Sequence, residues 1–179
     1  TVELSDGQQK TAQTILIAVG GSPVLPDIGG IENALTSNDM FHFKSLPKSI
    51  LIVGGGYIAC EFAGIMHGLG VKTIQYFRAD QILRGFDDEA RGIIADEMRK
   101  RGIDLQPRIN VTKLEKTPKG VKITNSKGKQ LEVDAVMFAT GRAPNTKGLV
   151  EGNVGLEIGA KGEICLLYTS DAADEITGV

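Results

Sequence analysis

Cysteine is scarce in this chain of 179 residues, which contains only Cys60 and Cys165. The two are far apart and neither lies in a CxxC motif, so the sequence supports neither a disulfide framework nor a thiolate zinc site. Histidine is equally rare, with only His42 and His67 present. We therefore expect no metal site, and we interpret Cys60 as a small packing residue.

Long apolar runs and an excess of one charge are also lacking. No run approaches the roughly 20 apolar residues that a helix needs to cross a bilayer, and residues 1–4 do not resemble the start of a signal peptide. The formal net charge of −2 gives no reason to expect nucleic acid or an anionic membrane as a partner. We expect a cytoplasmic protein. Because the sequence does not begin with Met, we expect its true N-terminus to lie upstream.

Glycine, in contrast, is abundant, with 23 residues clustered at particular points. The apolar run 50–53 predicts a strand buried on both faces, and three glycines separate it from a helical pattern over 57–69. The remaining pattern predicts a strand over 72–77, a helix from the acidic residues 87–89 to Gly102, and strands over 103–105 and 135–139. Three alternating segments, near 111–115, 120–124 and 130–133, predict an antiparallel meander. The predicted fold class is α/β, with a Rossmann-like parallel sheet.

The first 47 residues have a different character. They predict a strand over 1–4, a turn over 5–8 and a second strand over 14–18. Residues 22–47 contain several prolines and glycines and predict a connection between domains, with a short helix near 37–43.

The most informative motif is GGGYIA at residues 54–59, a G-x-G-x-x-A pattern between a predicted strand and a predicted helix. Gly54 permits the tight turn, Gly56 lets the backbone approach a pyrophosphate at the helix N-terminus, and Ala59 keeps the helix close to the strand. Such a motif is weak alone, since an ordinary strand-to-helix turn can contain it. The correctly placed strand and helix favour a dinucleotide loop.

The end of the next strand indicates which dinucleotide is bound. An NAD site places an acid there to accept from the ribose 2'-hydroxyl, whereas this chain has Phe77 followed by Arg78, with Arg84 six residues later. Guanidinium groups suit a 2'-phosphate, because they form charge-assisted and often bidentate hydrogen bonds. We predict NADPH as the cofactor. The alternative is that both arginines are ordinary solvated surface residues.

These residues resemble a known family. Residues 54–65 (GGGYIACEFAGI) are similar to the segment that opens the NADPH domain of glutathione reductases, which are flavoprotein pyridine-nucleotide disulfide oxidoreductases, and residues 77–87 contain that family's pair of arginines at the same spacing. Residues 17–23 and 139–146 resemble the segments that lead into and out of the domain, although Val19 stands where Thr is usual. Phe77 argues against a lipoamide dehydrogenase, which has Glu there.

The resemblance implies roles for individual residues. Tyr57 corresponds to a gate that covers the flavin until nicotinamide displaces it, and Glu61 to a partner of a lysine on the flavin side. The alternatives are that Tyr57 is a core aromatic and Glu61 a solvated helix acid. The cofactor-binding residues expected on this basis are Gly54, Gly56, Tyr57, Ile58, Ala59, Glu61, Arg78, Arg84, Val111 and Gly141.

The resemblance also implies a reaction for the full-length protein. NADPH reduces FAD, FAD reduces a cysteine pair, and the pair reduces glutathione disulfide in a homodimer. The flavin loop, the cysteine pair and the catalytic His-Glu pair of the family have no counterpart here, so we expect the chain to be inactive alone. The alternatives are a trypanothione or mercuric reductase, against which Tyr57 and Ala59 weigh slightly, and a non-enzymatic NADP-binding module.

Four segments follow from this comparison with the family. Residues 1–46 correspond to the end of a first FAD-domain segment with a linker, 47–142 to the NADPH-binding domain, and 143–164 to the return to the FAD domain. Residues 165–179 depart from the family pattern and resemble a translated library-adapter sequence. We interpret them as a tail that is not native, the alternative being a divergent C-terminal segment.

Overall fold

A computed structural model of the chain describes residues 1–149 and 156–165. The described residues form two compact units. One is Pro23–Arg142, and the other contains Thr1–Ser22 with the described residues from Ala143 onward. The predicted segment boundaries stay a prediction, and of the predicted tail only Cys165 lies within the described residues.

A four-stranded parallel sheet forms the centre of the larger unit. Its strands are β4 (Ser49–Val53), β5 (Lys72–Phe77), β6 (Asp104–Pro107) and β10 (Ala135–Phe138), in the spatial order β10-β4-β5-β6. The chain leaves β4 towards β5 on one side and returns as β10 on the other. Strand order therefore reverses beside β4, and a crevice is expected at the carboxyl end of this strand.

Two helices cover one face of the sheet, as the sequence predicts. They are α1 (Tyr57–Gly68) and α2 (Asp88–Arg101). At the start of α2, the Asp87 side chain accepts a hydrogen bond from the Ala90 amide at 2.9 Å, which satisfies a helix N–H that has no partner within the helix. Gly102 ends α2 at φ 104°, a left-handed conformation that glycine adopts readily.

The antiparallel meander covers the opposite face. It contains β7 (Val111–Thr117), β8 (Gly120–Asn125) and β9 (Gln130–Val133), which confirms the sequence prediction. Alternate residues of β4 pack on opposite faces of the sheet. Ile50 and Ile52 lie in the core beneath the helices, and Leu51 and Val53 lie in the core beneath the meander. Burial on both faces explains why this strand is a continuous apolar run.

The described residues of the smaller unit contain short strands. β1 (Val2–Glu3) pairs with β2 (Gln9–Lys10), so the first predicted strand and turn are confirmed. The predicted strand over 14–18 is wrong. Among the described residues, this run has no strand partner, and Leu16 is 87% exposed. A strand requires a neighbouring backbone to satisfy its hydrogen bonds, and apolar composition alone does not supply one.

Two further strands, β3 (Gly21–Pro23) and β11 (Arg142–Pro144), form a two-stranded sheet. Within the smaller unit, the Asn145 side chain donates to the Val19 carbonyl at 3.0 Å and accepts from the Ser22 hydroxyl at 2.6 Å. The connection after β3 contains two 3-10 turns, Ile31–Asn33 and Asp39–His42, and the second lies within the predicted short helix.

Candidate functional site

A cleft of about 700 Å³ opens where β4, β5 and β10 end. All of its lining residues belong to the larger unit, Pro23–Arg142. The cleft lies at the carboxyl ends of the parallel strands, beside the point where strand order reverses, which is the usual ligand position in open α/β sheets. The glycine loop at residues 54–56 is part of its lining.

Gly54 occupies a position that only glycine fits. Its φ is +146°, and an added Cβ would lie 2.3 Å from the Ala139 carbonyl oxygen. Its amide donates to the Tyr76 carbonyl at 2.8 Å, and its own carbonyl accepts a hydrogen bond of 3.0 Å from the Gln75 side chain. Both hydrogen bonds join Gly54 to β5, so the first turn of the loop is held against this strand.

Gly56 differs from Gly54 because nothing lies within 4 Å of the position that a Cβ would take. Its φ of −81° is accessible to any residue. The fold therefore does not require a glycine here, and the missing side chain leaves open space in the cleft just before α1 begins. Such a space, at the positive end of a helix, fits the pyrophosphate of a dinucleotide.

The first residues of α1 include four of the predicted site residues, and two of these line the cleft. Tyr57 is 54% exposed and lines the cleft, and Ile58 lines it while half-buried. Ala59 is fully buried and does not line the cleft, but its Cβ would lie 3.3 Å from a Cβ at Gly54. Its small size is needed to pack the helix on the loop. Glu61 is exposed and outside the cleft lining, so the structure does not bring it together with the other predicted site residues.

Arg78 and Arg84 both line the cleft and are both exposed. Arg78 directly follows β5. The connection that holds Arg84 is fixed by a hydrogen bond of 2.6 Å from the Leu83 amide to the Gly55 carbonyl. Arg91 fixes it again, because its Nε donates to the Ile82 carbonyl at 2.8 Å. Within the described residues, neither Arg78 nor Arg84 forms an ion pair or a side-chain hydrogen bond.

An acidic group lies between these two arginines in the sequence. The Asp80 carboxylate accepts a hydrogen bond from Nε of Arg108 and forms an ion pair with it. This hydrogen bond, with the charge of the guanidinium, lowers the pKa of Asp80. Both side chains are exposed, and the carboxylate stays ionised at neutral pH while its charge is compensated locally.

Two residues from other elements complete the predicted set. Val111, the first residue of β7, is buried and lines the cleft, and Gly141 lines it beyond the end of β10. The structure thus gathers eight of the ten predicted residues around one cleft: Gly54, Gly56, Tyr57, Ile58, Arg78, Arg84, Val111 and Gly141.

Several residues around the cleft were not anticipated from the sequence. Gln81, Asn110 and Thr140 line it, and Gln75 supports the loop from below. Gln75 could have been identified from the sequence, because it is a polar amide among the large apolar and aromatic residues at 74–77 of β5. Asn110 and Thr140 directly precede the predicted residues Val111 and Gly141, but no signal of their own distinguishes them.

Cys60 is half-buried and packs against the core beneath the helices. Burial raises the pKa of its thiol, which keeps the group protonated at neutral pH and suits the predicted packing role. In the described part of the chain, no cluster of metal-ligating side chains occurs. No helix among residues 1–149 and 156–165 has both the length and the apolar character of a membrane span.

The chain is similar to known proteins along most of its length. The family model described as pyridine nucleotide-disulphide oxidoreductase matches residues 1–171. A glutathione reductase of Burkholderia cepacia is 49% identical over 143 residues, which cover 80% of this chain and 32% of the relative. A glutathione reductase of Nostoc sp. is 47% identical over 161 residues, which cover 88% of this chain and 35% of the relative. A trypanothione reductase of Trypanosoma congolense is 40% identical over 157 residues, which cover 86% of this chain and 32% of the relative.

Two solved structures are also similar to this chain. The HOCl-induced flavoprotein disulfide reductase RclA of Escherichia coli aligns with a TM-score of 0.76 and 30% identity, over 83% of this chain and 35% of that one. LpdA of Mycobacterium tuberculosis aligns with a TM-score of 0.77 and 26% identity, over 89% of this chain and 36% of that one. The chain spans about a third of the length of the relatives that it matches.

Proposed function

The chain belongs to the pyridine nucleotide-disulphide oxidoreductase family, and we propose that it is the NADPH-binding part of a flavin-dependent glutathione-disulfide reductase. The observation that carries the proposal is the single cleft that holds both the glycine loop and two exposed arginines. The likeness to two glutathione reductases, at 49% and 47% identity, supports the substrate.

The residues of the cleft fit NADPH in three places. The open space at Gly56 receives the pyrophosphate, where the N-terminus of α1 favours negative charge. Arg78 and Arg84 bind the 2'-phosphate through charge-assisted hydrogen bonds. Val111 and Gly141, which also line the cleft, would border the remaining part of the nucleotide.

Bound NADPH supplies the hydride that FAD accepts in the full-length protein. The role of this chain is to bind and orient the nucleotide. Tyr57, an exposed residue of the cleft lining, would cover the flavin until the nicotinamide displaces it. Exposed Glu61 is free to pair with a cation on the flavin side. A cytoplasmic homodimer that reduces glutathione disulfide belongs to the same proposal.

Trypanothione disulfide is the second candidate substrate, because a trypanothione reductase is 40% identical to this chain. The two glutathione reductases are more similar, at 49% and 47%. The coding sequence upstream of residue 1 separates an enzyme from a simple nucleotide-binding module. A redox cysteine pair there supports the enzyme, and its absence contradicts the proposal.

A segment exchange tests the function directly. The matching segment of the Burkholderia cepacia glutathione reductase is replaced by this one, and reduction of glutathione disulfide is followed with NADPH and with NADH. We expect turnover with NADPH and a clear loss when Arg78 is changed to Met in the hybrid. A hybrid that folds and binds FAD but is not reduced by NADPH contradicts the proposal.

A further inference from the structure

A carboxylate lies next to the corner of the cleft that holds Arg78 and Arg84, although it is not itself among the lining residues. Asp80 lies between Ala79 and Gln81, both of which line the cleft. At the end of the second strand of such a fold, an ionised carboxylate normally favours NADH, because it accepts from the ribose 2'-hydroxyl and repels a 2'-phosphate. Asp80 is the third residue after β5, and its charge would repel a phosphate bound at Arg78. Its presence is therefore at odds with NADPH binding unless its charge is compensated.

The compensating charge comes from a distant part of the sequence. Arg108, 28 residues later, donates from Nε to the Asp80 carboxylate. Its backbone amide donates to the Ala79 carbonyl at 3.3 Å, and the following amide, of Ile109, donates to the Phe77 carbonyl at 3.1 Å. Two backbone contacts and one ion pair thus join the segment at Arg108 to the turn after β5.

The backbone at Arg108 is itself unusual. Its φ is +56°, a left-handed conformation that non-glycine residues seldom adopt. Such a conformation persists only where surrounding contacts determine it, and here the hydrogen bonds on both sides supply them. The chain therefore holds the backbone of Arg108 against the turn after β5, and the exposed guanidinium pairs with Asp80 from there.

We propose that Arg108 is a positioning residue for cofactor specificity: by holding the Asp80 carboxylate in an ion pair, it prevents this group from repelling a 2'-phosphate or accepting a hydrogen bond from a free ribose 2'-hydroxyl. The inference rests on the proposed NADPH site. Arg78 and Arg84 then bind the phosphate without a competing charge from Asp80. Neither Asp80 nor Arg108 is among the residues that line the cleft, so the pair acts from beside the phosphate site, and Arg108 acts through its ion pair with Asp80.

The test is calorimetric titration of NADPH and NADH against the full 179-residue chain and its variants Arg108→Met, Asp80→Asn and the double variant. Arg108→Met lowers the ratio of NADPH to NADH affinity about three- to tenfold, because an uncompensated charge now lies beside the phosphate site. The double variant restores the ratio to within about twofold of wild type, since the carboxylate is gone too. Arg108→Lys keeps the wild-type ratio, and Asp80→Asn keeps or raises it.

A matched control is Arg99→Met, which breaks the exposed ion pair of Arg99 with Asp96 on α2 and leaves the ratio unchanged. An unchanged ratio in Arg108→Met overturns this inference alone. A ratio that falls in Arg108→Met but is not restored in the double variant also overturns it, because Arg108 then acts on the nucleotide directly. A wild-type chain without preference for NADPH overturns the proposed function, and this inference with it.

Discussion

The side chain of Gln75 donates a hydrogen bond of 3.0 Å to the carbonyl oxygen of Gly54. Gln75 is fully buried in β5, and its Nε2 also lies 3.5 Å from Sγ of Cys60. Its Oε1 has no hydrogen-bond partner within the described residues. One buried amide thus fixes the first residue of the glycine loop and links β5 to α1.

Replacing Gln75 by Leu tests this support. The Gly54 carbonyl loses its donor, and we expect the affinities for NADPH and NADH to fall together, by about three- to tenfold. The free energy of unfolding changes little, because the unpartnered Oε1 is removed at the same time. Calorimetric titration and chemical denaturation provide the two measurements.

Thr73→Val is the matched control for this change, because Thr73 is buried in the same strand and its hydroxyl donates to the Val71 carbonyl, away from the loop. It should leave both affinities unaltered. If Gln75→Leu weakens NADPH but not NADH, the residue acts on specificity, and the loop-support role is wrong.

Replacing Arg78 by Met tests the phosphate site. A charge-assisted hydrogen bond contributes about 1.5–3 kcal/mol, so NADPH should bind roughly ten- to a hundredfold more weakly while NADH barely changes. Arg84→Met should behave similarly, because its connection is fixed to Gly55. Raising the salt concentration should erode the preference, since both groups are exposed. Arg101→Met, on α2 outside the cleft, is the control. Equal losses for the two nucleotides mean that the arginines merely support the loop.

The loop glycines should respond differently to alanine. Gly54→Ala forces a Cβ against the Ala139 carbonyl at a positive φ, and we expect it to lower the free energy of unfolding by about 2 kcal/mol or more. Gly56→Ala fits the fold without contact, so stability should stay within about 0.5 kcal/mol. Its methyl group enters the space for the pyrophosphate, and both nucleotides should bind at least about tenfold more weakly. Unaltered binding in Gly56→Ala would place the pyrophosphate elsewhere.

Asp134 gives a prediction for pH. Its carboxylate accepts hydrogen bonds from the Ser49 amide at 2.7 Å and the Ser49 hydroxyl at 2.9 Å, which lower its pKa. A lowered pKa in the folded state stabilises the protein above the unfolded-state value, and this contribution is lost as pH falls through the folded-state value. Asp134→Asn should therefore be less stable than wild type at pH 7, by up to about 1 kcal/mol at this exposed site.

The difference between Asp134→Asn and wild type should shrink as the pH falls below about 4. Thermal unfolding over pH 2.5–7 gives the measurement, with Asp96→Asn as an exposed control on α2. A gap that is constant over this range shows that the ionised carboxylate is not responsible.

The sequence predicts the larger unit well because its signals are local. The buried run of β4, the glycines after it and the acidic start of α2 each act within a few residues, and the predicted elements are confirmed there. The apolar run at 14–18 led to a wrong strand prediction, because a strand needs a hydrogen-bonding partner strand, which composition does not reveal. The position of Arg108 beside Asp80 depends on a left-handed backbone and contacts over 28 residues, for which no sequence pattern exists.

Titration of the unaltered 179-residue chain with NADPH and NADH, at low salt and without flavin, tests the central claim most directly. We expect NADPH to bind at least about tenfold more tightly than NADH, since two cationic side chains face the 2'-phosphate. The same sample should not reduce glutathione disulfide, because its two cysteines, Cys60 and Cys165, form no redox pair. Equal binding of the two nucleotides, or no binding of either, would contradict the assignment of the cleft as an NADPH site.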